Sequence, residues 1–219
     1  MFDHVTVRVS DQRASRRFYE TVLTPLGYRI SVSGDHFAEW SDFGIAQARD
    51  DRPVTRRLHA AFVTRSRAEV ETFWRAGTEA GYASDGEPGL RPEYDDEYYG
   101  AFLLDPDGNT VARVLGLRVV RTRPERFHVA ARDRSFAVVA GAPTENVHMA
   151  FLAPDRVTVD EFHRVALNAG YRDNGAPGER RYHPGYYGAF VFDPDGNNVE
   201  AVHGGTQTRR PARAAERPA

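Results

Sequence analysis

The chain offers a narrow chemical repertoire. Its 219 residues contain no cysteine, and all 29 basic side chains are arginine. The first absence excludes thiol nucleophiles, disulfides and thiolate metal sites; the second excludes Schiff-base and lysine-nucleophile mechanisms. Chemistry must therefore come from His, carboxylate, Tyr, Ser or Thr, or from a bound metal. Two histidines stand in matching surroundings, His59-Ala60-Ala61-Phe62 and His148-Met149-Ala150-Phe151. Two tyrosine pairs do the same, Tyr98-Tyr99 and Tyr186-Tyr187, each followed by Gly-Ala-Phe. An isolated histidine on a strand is usually a hydrogen-bonded structural residue. One that returns inside a long repeat is a stronger candidate for a site.

The elements that must position these residues follow from that repeat. Ala80-Gly81-Tyr82 returns as Ala169-Gly170-Tyr171, and Asp105-Pro106-Asp107-Gly108-Asn109 returns at Asp193 to Asn197. Each copy reads as a strand (residues 58–64; 147–153), an amphipathic helix (67–80; 158–169) and a Gly/Pro-rich loop with a short irregular strand. Two further strands (98–104 and 110–115; 186–192 and 198–203) are joined by the Asp-Pro-Asp-Gly turn, with Pro at its first corner and Gly where positive φ is needed. Gly81 and Gly170 are placed as left-handed helix caps. A looser version opens the chain: a strand over 4–9, a helix over 13–26 capped by Asp11 or Ser10, and strands over 29–33, 36–40 and 44–49. Between the close copies lie three more strand-like segments, 117–122, 127–131 and 136–140, with no strand and helix before them.

The expected fold class is therefore α+β: tandem βαβββ modules with cup-shaped mixed sheets, the second half lacking its first strand and helix. We name the modules A (about 1–50), B (about 57–115), A-prime (about 116–143) and B-prime (about 146–205). A and B make a module pair over 1–115. The truncated pair runs over 116–205, and 206–219 reads as a disordered tail rich in Arg, Ala and Pro.

Paired βαβββ modules that open on Asp3-His4-Val5, carry His on a first strand and end in Asp-Pro-Asp-Gly-Asn-Asn-Val-Glu resemble the vicinal oxygen chelate superfamily. It includes glyoxalase I, bleomycin-resistance proteins, fosfomycin-resistance transferases, methylmalonyl-CoA epimerase and extradiol dioxygenases. The loop Asn174-Gly175-Ala176-Pro177-Gly178 with Tyr182-His183-Pro184-Gly185 is similar to a bacterial glyoxalase-like subgroup. The resemblance implies a divalent metal ion (Fe, Mn, Zn, Ni or Co) on inward residues of first and last strands. Carried over by position, these are His4, His59 and His148, with Glu200 on the last strand of B-prime; B has Ala112 at that place. Pairing A with B, and A-prime with B-prime, would leave both sites broken. The crossed pairing of A with B-prime assembles one complete set, His4, His148 and Glu200, opposite a degenerate one.

Around that set, His183 in its loop and Tyr187 on its strand are the candidates for acid–base or substrate contact. One tyrosine of each pair should face the cup and the other should pack under the helix. Asp193 and Asp195 read as turn residues, and His203, three positions after Glu200, falls on the opposite sheet face. The expected function is a metal-dependent enzyme acting on a small oxygenated molecule by lyase, isomerase or dioxygenase-type chemistry. The alternative is a metal-free, bleomycin-resistance-like protein that sequesters a small molecule. The formal charge of −2 excludes a chain-wide nucleic-acid footprint. No apolar run suits a membrane, so the expected setting is cytoplasmic, as a monomeric pseudo-dimer or a homodimer.

Overall fold

A computed structural model of the protein describes residues 2–94, 96–115, 126–131 and 134–204. Module A contributes β1 (Phe2–Val9), α1 (Gln12–Leu23), β2 (Val32–Gly34), β3 (Phe37–Trp40) and β4 (Phe43–Gln47). Module B contributes β5 (His59–Thr64), α2 (Arg67–Glu79), β6 (Ser84–Leu90), β7 (Tyr99–Leu104) and β8 (Thr110–Leu115). A hairpin of β9 (Arg126–Ala131) and β10 (Arg134–Val139) follows. B-prime consists of β11 (His148–Leu152), α3 (Arg156–Asn168), β12 (Asp173–Glu179), β13 (Tyr187–Phe192) and β14 (Asn198–His203). The α+β class and the tandem halves are as expected. The strand proposed over 117–122 and the tail over 206–219 lie outside the described residues.

The strand order shows how the modules combine. A and B-prime share one eight-stranded sheet, β12-β13-β14-β11-β1-β4-β3-β2, whereas B forms its own sheet, β5-β8-β7-β6. The seam is the antiparallel pairing of β1 with β11; on its two sides β4 runs parallel to β1 and β14 parallel to β11. The two halves of this sheet are thus related by an approximate two-fold at the seam, with the concave face open between them.

Local sequence accounts for the elements. Asp11 caps α1, its carboxylate accepting the Ala14 N–H at 2.9 Å. Alternation along β1 sends Val7 and Val9 into the core and puts His4, Thr6 and Arg8 on the concave face. The main core joins A to B through their helices, with Phe18, Tyr19 and Val22 of α1 against Val70 and Phe73 of α2. The Asp-Pro-Asp-Gly turns take the expected form, with Gly108 and Gly196 at φ 79° and 85°. Each is bolted to the start of a first strand by its Asn. Asn109 accepts the Leu58 N–H and donates to the Thr55 carbonyl, and Asn197 accepts the Val147 N–H and donates to the Thr144 carbonyl.

Candidate metal centre

Sheet register alone brings the candidate residues together. His4 lies opposite Ala150 across the seam, Thr6 lies opposite His148, and Ala150 lies opposite Glu200 on the next strand. His4, Ala150 and Glu200 therefore form one cross-strand row on one face, with His148 diagonal to it. Ala150 is fully buried between the two polar side chains, and its single methyl leaves room for them to converge. The ligand atoms of His4, His148 and Glu200 all lie within 4.8 Å of one another. The His148 Nε2 is 2.9 Å and the His4 Nε2 3.9 Å from Glu200 Oε2, and the imidazole rings meet edge to face with centroids 5.0 Å apart.

Two of these side chains are held from behind. Glu200 is fully buried, a position that costs an unpaired carboxylate several kcal/mol. Its Oε1 accepts a 2.5 Å hydrogen bond from the Tyr186 hydroxyl, in the range of strong charge-assisted bonds. Burial, together with the Glu200 charge and hydrogen bond, pushes the Tyr186 hydroxyl far above its ordinary range, so it stays a donor. Gly188 makes this possible, because a Cβ there would fall 2.6 Å from Glu200 Oε1. His4 Nδ1 sits 2.9 Å from the buried Asp3 Oδ2, which fixes the tautomer and turns Nε2 toward Glu200. Neighbouring strand residues normally face opposite ways; a register shift between Phe2 and His4 places Asp3 beside the ring.

The imidazoles differ electrostatically. Burial lowers the proton affinity of both. At His4 the hydrogen bond to Asp3 and the charges of Glu200, Asp3 and Glu39 outweigh it and raise the pKa. At His148 burial wins, the Glu200 hydrogen bond opposing it and the His4 charge adding to it, so the pKa falls and the neutral, ligand form is favoured.

The other expectations divide. His183 lines the cup, edge to face with Tyr186 at 5.1 Å, and its buried Nε2 has no hydrogen-bond partner among the described residues. Tyr187 requires correction. It packs under α3 and donates to Asp160 at 2.7 Å, so the cup-facing member of the pair is Tyr186. Strand alternation predicts that one faces each way but not which; the register that sets Phe190 opposite Glu200 puts Gly188 and Tyr186 on the cup side. Asp193 and Asp195 stay in their turn, the Asp193 carboxylate accepting the Asp195 and Asn197 N–H groups. Sequence reasoning missed Asp3, Tyr186, Ala150 and Gly188. Only Tyr186 carried a signal, as the other half of its repeated pair.

Two further groups were also missed. Arg8, on the concave face of β1, makes no ion pair among the described residues, and burial plus the charges of Arg52 and Arg49 lowers its pKa. Glu39 projects over Gly44 from β3, its Cγ 3.2 Å from where a Cβ would stand. Burial raises the Glu39 pKa, with His4 opposing and Asp3 adding. Both line the same open cleft of about 1810 Å3 as His4, His148, His183 and Tyr186.

The donor set fits a divalent ion. Two imidazoles and one carboxylate leave coordination positions open, and around zinc at about 2.0–2.2 Å such atoms stand roughly 3 Å apart. The observed spacings need only small side-chain adjustments to reach that. A fold that brings two such modules together around two inward histidines and a carboxylate defines a vicinal oxygen chelate protein. The Glyoxalase/Bleomycin resistance protein/Dioxygenase superfamily matches residues 1–113 and again 111–201, and the chain belongs to it. A glyoxalase I mutant from Zea mays has a similar fold, with 15% identity over 95% of each chain and a TM-score of 0.67. A glyoxalase/bleomycin resistance protein from Albidiferax ferrireducens T118 is 30% identical over 53% of this chain and 99% of its own, with a TM-score of 0.48. The 2,3-dioxygenase LapB from Pseudomonas sp. KL28 is 14% identical over 99% of this chain and 94% of its own, with a TM-score of 0.47. A search of curated proteins returned no match. Among the described residues no helix is long and apolar enough to cross a membrane.

Proposed function

We propose that the chain is a divalent-metal-dependent enzyme that rearranges or cleaves a small anionic oxygenated molecule, with His4, His148 and Glu200 as the metal ligands. The observation that carries this reading is the convergence of those three side chains at the floor of an open cup, with His4 braced by Asp3 and Glu200 by Tyr186. A bound divalent ion would supply Lewis-acid stabilisation to vicinal oxygens or a developing enolate.

The rest of the cup suggests the substrate and the type of step. Five arginines and three carboxylates line it, and unpaired Arg8 with Arg49 and Arg52 is suited to a carboxylate or phosphate on the substrate. Glu39 is a half-buried carboxylate that faces the cup beside His4 with no side-chain hydrogen bond among the described residues, and it could take up and return a substrate proton. His183, over Tyr186, is the second candidate for that role. A base in the cup favours isomerase or lyase chemistry over oxygenation. Tyr186 and Asp3 act by holding Glu200 and His4. The metal-free sequestration of a cationic ligand is disfavoured by the excess of arginine over carboxylate.

The test is metal analysis of the purified protein after loading with a divalent ion, comparing wild type with Glu200→Ala and His148→Ala. The expected stoichiometry is near one ion per chain, lost in both variants. Two ions per chain, or one ion retained in both variants, would defeat the assignment. Tight binding of a hydrophobic ligand by metal-free protein would instead support sequestration.

A further inference from the structure

We infer that the outer face of α3 is a self-association surface, and that a second copy of this chain docks on it through its own α3. The observation is a difference between the two close copies of the repeat. In B the helix face is covered: Phe73 is fully buried, and Tyr82 packs edge to face on Phe18 of α1 at 4.8 Å. The crossing is close enough at Gly77 that a Cβ there would lie 3.3 Å from the Val22 side chain. The same positions in B-prime are Phe162, Tyr171 and Ala166. There Tyr171 is 46% and Val165 50% exposed. A shallow groove of about 450 Å3 runs between Phe162, Val165, Ala169 and Tyr171, with Thr158 and Glu161 at its rim. The face that takes a helix in one copy is bare in the other, because A-prime has no counterpart of α1 among the described residues.

The occupant is narrowed by what the chain has left. Residues 116–125 number ten, fewer than the 12 of α1. Residues 205–219 contain no Val, Ile, Leu, Met or aromatic side chain to fill an apolar groove. A second α3 has the needed stripe. Glu161 and Arg164 beside that stripe are already paired with each other, so two copies about a two-fold axis meet apolar face to apolar face without an unpaired charge between them. One helix face covers less than the ~800 Å2 per partner of a standard interface, so association should be weak and concentration-dependent.

Sedimentation equilibrium of the full chain over a broad concentration series tests this. Wild type should shift from monomer to dimer, and Val165→Glu should weaken the dimer at least about tenfold (~1.4 kcal/mol) while circular dichroism and metal content stay unchanged. Because the chain has no cysteine, Val165→Cys gives an independent readout. It should oxidise to a disulfide-linked dimer much faster than Val32→Cys, which is exposed on β2 at the far edge of the large sheet. A wild type that stays monomeric at every concentration overturns the proposal, as does a dimer undiminished by Val165→Glu with no preferential linkage at 165. A monomer whose Val165→Cys thiol resists labelling would show the face covered within the chain, and would overturn it too.

Discussion

Modules B and B-prime share strand order, the left-handed glycine after the helix, the turn and much of their sequence, yet among the described residues only B-prime takes part in a complete candidate ligand set. The register is the same in both: Ala61 lies opposite Ala112 as Ala150 lies opposite Glu200, and Phe102 opposite Ala112 as Phe190 opposite Glu200. His59 stands edge to face with Phe102 at 5.8 Å, much as His148 does with Phe190 at 6.1 Å. Arg91 and Arg180 each lie 5.2 Å over the ring of that same phenylalanine. What differs is one side chain, Ala112 for Glu200, and one neighbour. Strand β11 is paired with β1, which brings His4; β5 is the edge of its described sheet and receives no such strand. A site of this kind therefore depends less on the module than on what is paired with it.

Restoring the missing carboxylate should test that conclusion most severely. Ala112 is fully buried in an apolar cluster with Phe102 and Val114. Ala112→Glu supplies the carboxylate, but among the described residues no second histidine stands beside it as His4 does beside His148. The carboxylate is then buried without compensation, a change that costs about 3–5 kcal/mol when a buried ion lacks its partner. Thermal or urea unfolding should show a loss of that order, and metal content should stay near one ion per chain. A stable variant that binds a second ion would mean that module B has ligands beyond those of the described residues.

Much of this comparison was legible in the sequence. The repeat, the helix caps and the Asp-Pro-Asp-Gly turns followed from local chemistry, because turn type and capping depend on residues a few positions apart. The crossed assembly of A with B-prime could be inferred by counting ligands, since only that pairing unites His4, His148 and Glu200. What remained hidden depends on exact register. Nothing in Asp3 announces that a bulge will turn it toward His4, and nothing in the pair Tyr186-Tyr187 fixes which one reaches Glu200. Glu39 and Arg8 were equally silent, because their significance lies in where the folded cup places them.

A smaller effect is expected at the glycine that the two copies share. Gly188 and Gly100 occupy matching strand positions, opposite Val202 and Val114. At Gly188 an added Cβ would stand 2.6 Å from Glu200 Oε1; at Gly100 it would meet the Tyr98 ring at 3.1 Å and Val114 at 3.2 Å. Gly188→Ala must therefore displace the carboxylate from Tyr186, and metal affinity should fall by roughly the 10–100-fold typical of disturbing a ligand's supporting partner. Gly100→Ala crowds only packing atoms and should leave affinity within about twofold of wild type. Isothermal titration of both variants with one divalent ion separates the cases. Equal losses in the two would show that general strain in the sheet, and not the position of Glu200, governs binding.

The smallest difference should come from the turn bolts. Asn109 and Asn197 each make the same three kinds of contact: one accepted from the start of a first strand, one donated to the carbonyl of the residue three before it, and one donated to the Asp that opens the turn. Replacing either by Ala leaves a buried N–H and a buried carbonyl without partners, at about 1–3 kcal/mol each for a lost buried hydrogen bond. The loss of stability should thus be similar in Asn109→Ala and Asn197→Ala. Function should not follow stability. The Asn197 bond holds the Val147 N–H, one residue before His148, so its loss frees the entry of β11 and should lower metal affinity several-fold. The Asn109 bond holds Leu58, one residue before His59, where no ion is expected, and its loss should leave affinity unchanged. Unfolding curves and metal titrations on the same two variants would therefore show one shared structural role and one that has become functional only because β1 lies alongside β11.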